Sequence, residues 1–413
     1  MAQTLLAGTP ASSPIDNDTS YFLPLLILTS LFFMWGFLTV LNDILIPYLK
    51  NVFDLNYTQA LLIQFCFFTA YGVCSIPAGN VVKRVGYQRG MVFGLMVAAV
   101  GCFMFILAAN MLVYPVFLGA LFVLAAGITL LQVSANPYVA LLGPTKTAPR
   151  RLTLTQAFNS LGTVIGPIVG GTLILSAVAS AGGGADAVRV PYAYLGAALL
   201  LLAVLFMFIK LPVIHEVQSE RGSYTDALQY KHLWMGVAAV FLYVGAEVSI
   251  GSLIISFLGE SNIAGMAEKE AASYVTYYWT GALIGRFLAV GLMLVVAGNV
   301  MLMVNAIGAA LMLMVVISTD GQTAWMALIA VGLFNSLMFP TIFSLAIARL
   351  GPLASRGSGL LCTAIIGGAF VPLAQGVLAD SIGLQISFIL PALCYLYIAY
   401  YGAKGWEPKG PNL

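Results

Sequence analysis

Apolar residues fill the chain in stretches of about 20, broken by short segments that hold glycine, proline and most of the charge. A helix of ~20 residues crosses the ~30 Å hydrocarbon core of a bilayer, whereas a membrane barrel needs short segments of alternating polarity, which this pattern lacks. Hydropathy and turn signals together predict twelve spans, near residues 22–49, 58–82, 90–110, 113–142, 152–178, 191–211, 233–258, 271–296, 298–318, 323–349, 357–380 and 384–403. The longest polar interruption, Lys210 to His232, divides them into two groups of six. The expected fold is all-α and integral to a membrane. It has a polar tail over residues 1–21, six-helix bundles over 22–210 and 233–403, a linker over 211–232 and a closing tail over 404–413.

Composition agrees with that pattern. Only 8% of the 413 residues are charged and 61% are hydrophobic, against roughly 25% charged in a soluble domain. The net charge of +2 says little, but its distribution says more. Fourteen of the seventeen lysines and arginines, among them Lys83, Arg84, Arg150, Arg286, Arg349 and Arg356, fall on the side of the termini, and only Lys50, Arg189 and Lys269 fall opposite. By the positive-inside rule both termini face the cytoplasm. Residues 1–20 contain no lysine or arginine and so lack the charged start of a secretory signal; they read as a loose tail ahead of a retained first span. The five cysteines lie inside apolar runs and read as packing residues, not as disulfides or a thiolate metal site. No basic stripe suggests a nucleic acid.

The two groups of six spans repeat one another. Leu142-Gly143-Pro144 is followed by Arg151 and then by Gly162, Pro167 and Gly171; Leu350-Gly351-Pro352 is followed by Arg356 and then by Gly367, Pro372 and Gly376. The offsets from each arginine are 11, 16 and 20 in both places. Spans one and seven align more weakly, with Gly36 answering Gly245. Two six-span halves in the same orientation imply an axis along the membrane normal and a central path between halves that rock against each other.

Polar residues at membrane depth need a reason to be there, since a carboxylate at a helix centre costs at least about 2.5 to 3.5 kcal/mol. Asp43, in the first span, and Glu247, in the seventh, are the two carboxylates clearly within spans. No basic residue is placed at their depth, so no buried ion pair is expected. Each reads either as a structural acceptor or as a ligand for an ion or a substrate. Gln132 and Asn136 share one helix face, as do Gln156 and Asn159. These amides either tie helices together or, with Asn42, Gln64 and Asn335, line a path with neutral donors and acceptors suited to hydroxyl groups. Trp35, Tyr71, Tyr277, Tyr278 and Trp279 offer flat apolar faces, and Tyr277 is the position taken for the site. Pro137 and Pro340 lie inside the fourth spans of the two halves, where a proline frees carbonyls by a kink or a hinge.

These residues resemble the fucose and glucose/galactose permease branch of the major facilitator superfamily. The likeness runs along nearly the whole chain and is carried by Leu41-Asn42-Asp43-Ile44-Leu45-Ile46-Pro47, Gln156-Ala157-Phe158-Asn159-Ser160, Gly245-Ala246-Glu247 and Phe334-Asn335-Ser336-Leu337-Met338-Phe339-Pro340-Thr341. It implies two pseudo-symmetric six-helix bundles, a monosaccharide site between them and Asp43 at the acidic position used for cation coupling. The proton-coupled fucose permeases carry a glutamate where this chain has Gln132, which cannot titrate. In that respect the chain is similar to the sodium-dependent glucose/galactose transporters. Sodium is the expected coupling ion, with oxygens from Asp43, Asn42, Thr39, Gln132 and Asn136 as its ligands. Coupling of a proton through Asp43, or no coupling, stays open. The implied sugar contacts are Gln64, Gln132, Asn136, Gln156, Asn159, Glu247, Tyr277 and Asn335.

The loop after span two departs from the superfamily, with Lys83 where an aspartate usually precedes the arginine, so Arg84 and Arg286 are left to form a cytoplasmic gate with other partners. No cofactor and no metal beyond sodium is expected, and the chain is expected to act as a monomer among lipids of a bacterial inner membrane. An enzyme is disfavoured by the lack of an HExxH or a serine-histidine arrangement at membrane depth, and ATP-driven transport by the lack of a phosphate-binding GxxxxGK[ST] loop. The orientation has a direct test: a reporter active only in the cytoplasm should work when fused after Leu413 and fail when fused after Lys50, and the reverse result would invert the topology.

Overall fold

A computed structural model describes residues 22–53, 57–180, 189–209, 211–212, 223–266 and 268–408, with side chains described outside 40–52, 57–64, 167–180, 268–269 and 272–273. Its long helices are α1 (Phe22–Val52), α2 (Tyr57–Val85), α3 (Tyr87–Met111), α4 (Tyr114–Leu141), α5 (Ala148–Ser180), α6 (Arg189–Phe208), α7 (Lys231–Gly259), α8 (Glu268–Leu292), α9 (Gly298–Ser318), α10 (Gly321–Ala346), α11 (Gly351–Ile382) and α12 (Leu384–Gly405). Ten of them are long and apolar enough to cross a membrane among the described residues. The other two, α5 with 33 residues and α8 with 25, are also long enough to span the core at ~1.5 Å per residue. A short helix at Tyr224–Leu228, begun by a reciprocal cap between Ser223 and Asp226, stands in the linker.

The surface shows what solvent this fold is built for. Along α9 the exposed positions are Val300, Val304, Ile307, Leu311 and Met314, at the three- and four-residue spacing of one helix face. The buried face carries Ala306, Ala309 and Ala310 among larger residues. Large apolar side chains point outward while small ones pack inward, the arrangement expected where hydrocarbon surrounds the protein and close approach holds the helices together.

The repeat in the sequence is a repeat in packing. In the first half α3 packs on α4, α1 on α5, α3 on α6 and α2 on α4; in the second, α9 packs on α10, α7 on α11, α9 on α12 and α8 on α10. Each pair is the other shifted by six helices. The contacts between halves obey the same symmetry, for α2 meets α11 as α8 meets α5, and α4 meets α11 as α10 meets α5.

One pair of repeated glycines, Gly162 and Gly367, marks points of close approach. A methyl group added at Gly162 of α5 would stand 2.3 Å from the Phe33 carbonyl oxygen of α1, and one at Gly367 of α11 would stand 2.0 Å from the Phe241 carbonyl oxygen of α7. From the other side, a methyl group on Gly36 would stand 2.0 Å from the Asn159 carbonyl oxygen, and one on Gly245 would stand 2.3 Å from the Val371 side chain. Main-chain atoms cannot swing away as a flexible side chain does, so Gly36, Gly162 and Gly367 exclude any larger residue. Gly162→Ala and Gly367→Ala should each cost about 1 to 3 kcal/mol of packing and lower the yield of monodisperse protein in size-exclusion chromatography. Gly119→Ala, where nothing lies within 4 Å, should leave that yield unchanged.

Candidate functional site

In the first half, α1, α2 and α4 bring polar atoms together under a cover of aromatic rings. Gln132 is buried and its Nε2 donates to the Tyr71 hydroxyl at 2.6 Å, while its Oε1 is buried without a partner. The indole of Trp35 lies beside the Tyr71 hydroxyl. One turn along α4, Asn136 is fully buried, and neither its Oδ1 nor its Nδ2 has a protein partner. A buried amide with open hydrogen-bonding capacity is costly unless a ligand or water fills it. Gln132 Oε1 and both ends of Asn136 thus leave unmet hydrogen-bonding capacity on one face of α4. Thr39, the other described member of the expected cation set, donates to the Trp35 carbonyl of its own helix at 2.9 Å. Asp43, Asn42 and Gln64 have side chains outside the described residues.

The second amide pair is placed differently. Asn159 reaches from α5 to donate to the Phe32 carbonyl of α1 at 3.0 Å, so it ties two helices of one half together. Gln156 is buried, and its main-chain oxygen lies 3.5 Å from Nη1 of Arg286 in the other half.

The second half holds a larger and more charged cluster. Tyr243 donates to Glu247 Oε1 at 2.6 Å, four residues along the same face of α7, and its hydroxyl also lies 3.1 Å from the Asn335 carbonyl. Asn335 is fully buried; its Nδ2 donates to the Tyr278 hydroxyl at 2.6 Å and its Oδ1 accepts from Tyr395 at 2.7 Å. These bonds join α7, α8, α10 and α12 through one residue, α8 and α12 on its side-chain amide and α7 on its main-chain oxygen. Asn335 thus holds the cluster together, while Glu247, half-buried at its edge, keeps a second carboxylate oxygen for other work.

Several positions differ from the sequence expectation. Tyr277 is 59% exposed and shares its face with exposed Ile284 and Leu288, seven and eleven residues on, so it points out of the bundle and not into the site. Its neighbour Tyr278 is the one turned inward. Arg286, assigned to the cytoplasmic side, is only 8% exposed and lies close enough to Glu247 to act on its charge, which corrects the expectation that no basic residue reaches that depth. Arg84 is exposed at the end of α2, so its placement gives no support to the gate role expected of it. His232, counted with the linker, is buried in the first turn of α7 with its Nε2 2.9 Å from the Ala348 carbonyl. The hydroxyls of Tyr243 and Tyr395 were not anticipated. The four-residue spacing of Tyr243 and Glu247 is the one signal that could have pointed to the first of them.

Comparison with known proteins fits this architecture. A family model described as Major Facilitator Superfamily matches residues 25–365. The chain is 53% identical over 412 residues to a glucose/galactose transporter of Brucella abortus, covering 97% of this chain and 99% of that protein. It is 44% identical over 407 residues to a putative glucose/galactose transporter of Helicobacter pylori, covering 95% and 99%. It is 34% identical over 419 residues to the L-fucose-proton symporter of Escherichia coli, covering 94% and 95%. The crystal structure of FucP in the outward conformation superposes with a TM-score of 0.86 at 34% identity, over 93% of this chain and 99% of that one. The fold is shared with the proton:xylose symporter XylE at 14% identity and a TM-score of 0.78. The twelve-helix order and the repeated packing have their explanation in these matches: the chain belongs to the Major Facilitator Superfamily, a family of multi-pass membrane transporters and not of enzymes.

Proposed function

We propose that the chain imports a monosaccharide, a hexose such as glucose or galactose, together with a cation. Two six-span units, 22–210 and 233–403, open in turn to either side of a bacterial inner membrane, with both termini in the cytoplasm. The observation that carries the reading is the 53% identity to a glucose/galactose transporter over 97% of the chain. The site chemistry supports it. The unmet atoms on α4 are neutral amide donors and acceptors, Gln132 Oε1 and both ends of Asn136, suited to sugar hydroxyls. The aromatic rings around Tyr71 supply apolar faces for a pyranose ring. The protein works as a monomer within the lipid.

Two observations bear on the cation. Proton coupling is supported by relatives of 34% and 30% identity that are L-fucose-proton symporters. Sodium coupling is supported by the open oxygens of Gln132 and Asn136, which add ligands without adding a second titrating group. Asp43 is the balancing charge in either case.

In membrane vesicles, Asp43→Asn should abolish hexose accumulation against a gradient and spare exchange of labelled for unlabelled sugar. Retention of accumulation would remove Asp43 from coupling. Imposing a sodium gradient and a pH gradient separately decides the ion. The gradient that drives uptake is the coupling gradient, and uptake indifferent to both would make the protein a facilitator. Asn136→Leu should raise the half-saturating hexose concentration at least about tenfold, the weight of roughly one or two sugar hydrogen bonds. An unchanged value would place the sugar elsewhere.

A further inference from the structure

Both prolines in the fourth spans leave a main-chain carbonyl without its helical donor. Proline has no N–H, so Pro137 frees the carbonyl of Val133 and Pro340 frees the carbonyl of Ser336, four residues earlier in each case. In α10 the helix is interrupted at Ser336 and Leu337, just before the proline. Within a membrane such a carbonyl has no water to turn to and must be met by the protein.

Each one is met from a neighbouring helix. Arg286 of α8 donates through Nε to the Ser336 oxygen at 2.8 Å. Ser358 of α11 donates through Oγ to the Val133 oxygen at 3.1 Å, and this bond joins the two halves. It lies beside a tight seam. A methyl group on Gly79 of α2 would stand 3.1 Å from the Ser355 oxygen of α11, and one on Gly359 would stand 3.1 Å from the Ser75 oxygen of α2. Tyr224 of the linker donates to the Ile76 oxygen at 2.6 Å over the same seam, with the Arg356 guanidinium 6.0 Å from its ring centroid. At the symmetry-related contact of α5 with α8, Arg150 donates from Nε to the Val290 oxygen at 3.1 Å. At both contacts the bonds run from side-chain donors to main-chain acceptors.

We infer that Ser358 is a positioning residue whose hydroxyl, docked on the carbonyl that Pro137 frees, holds the two halves together on the side of the basic loops. Rocking the halves apart on that side strands both the hydroxyl and the carbonyl. The proline in α4 therefore works in part by supplying an acceptor that a regular helix would have used itself. The inference rests on alternating access but not on the identity of the sugar or the ion.

Cys362, one turn after Ser358, fully buried and close to Tyr71 of α2, is a built-in reporter of that seam; because Ser358 also lies beside its thiol, Pro137→Ala, which leaves the thiol's neighbours in place, reads the seam most directly. In the full chain with the other four cysteines replaced by alanine, N-ethylmaleimide should label Cys362 slowly. Ser358→Ala and Pro137→Ala should each raise the initial labelling rate about two- to twelvefold, the range of a single net hydrogen bond. The double variant should show no more than the Ser358→Ala effect, because the helical N–H that Pro137→Ala restores competes for the Val133 oxygen and matters only while the Ser358 hydroxyl is there. Ser358→Thr, which keeps the hydroxyl, should label close to the parent rate. An unchanged rate in Ser358→Ala, or effects that multiply in the double variant, would overturn the inference. Labelling needs no sugar or ion gradient, so its failure is separable from failure of the transport reading.

Discussion

A peptide carbonyl in hydrocarbon must have a donor, and where a proline takes the helical one away, another part of the chain has to supply it. That requirement supplies one bond between the halves and one within the second. Val133 and Ser336 lose their partners to Pro137 and Pro340, and Ser358 and Arg286 take their places. Because Ser358 belongs to the opposite half, a defect local to one helix becomes a bond between the two halves. The acceptors are neutral carbonyls, so salt screens this contact far less than it would an exposed ion pair.

Around that contact the two halves are alike in packing and unlike in chemistry. Close glycine-to-carbonyl approaches at Gly162 and Gly367 build the same helix pairs in both. The first half then encloses a neutral cluster of Trp35, Tyr71 and Gln132, with Asn136 unmet beside it. The second encloses a carboxylate, a guanidinium and three tyrosine hydroxyls gathered on Asn335. The scaffold is thus duplicated while the polar core is not: one half holds neutral amides and the other a charge-bearing network.

Much of the scaffold was legible in the sequence. Apolar runs of membrane length gave the helices, and the matched spacing after Arg151 and Arg356 gave the repeat in which Gly162 and Gly367 prove to be contact points. The face shared by Gln132 and Asn136 was legible as well, because four-residue spacing fixes it without knowledge of neighbours. The inward phase of each helix was not. In a membrane protein the outer face is as apolar as the core, so hydropathy cannot say which of Tyr277 and Tyr278 points inside. The depth of Arg286 was hidden for a related reason, since a count of basic residues assigns a side of the membrane and not a burial. The capture of carbonyls by Ser358 and Tyr224 had no sequence signature, because the acceptors are main-chain atoms common to every residue.

The account stands on movement of a hexose by this chain alone, and uptake by purified protein in liposomes measures that directly. Labelled galactose should accumulate above its outside concentration when a cation gradient is imposed, fall back when the gradient is dissipated, and be displaced by unlabelled glucose. Absence of saturable movement of any hexose, in protein that remains monodisperse and folded, would contradict the account.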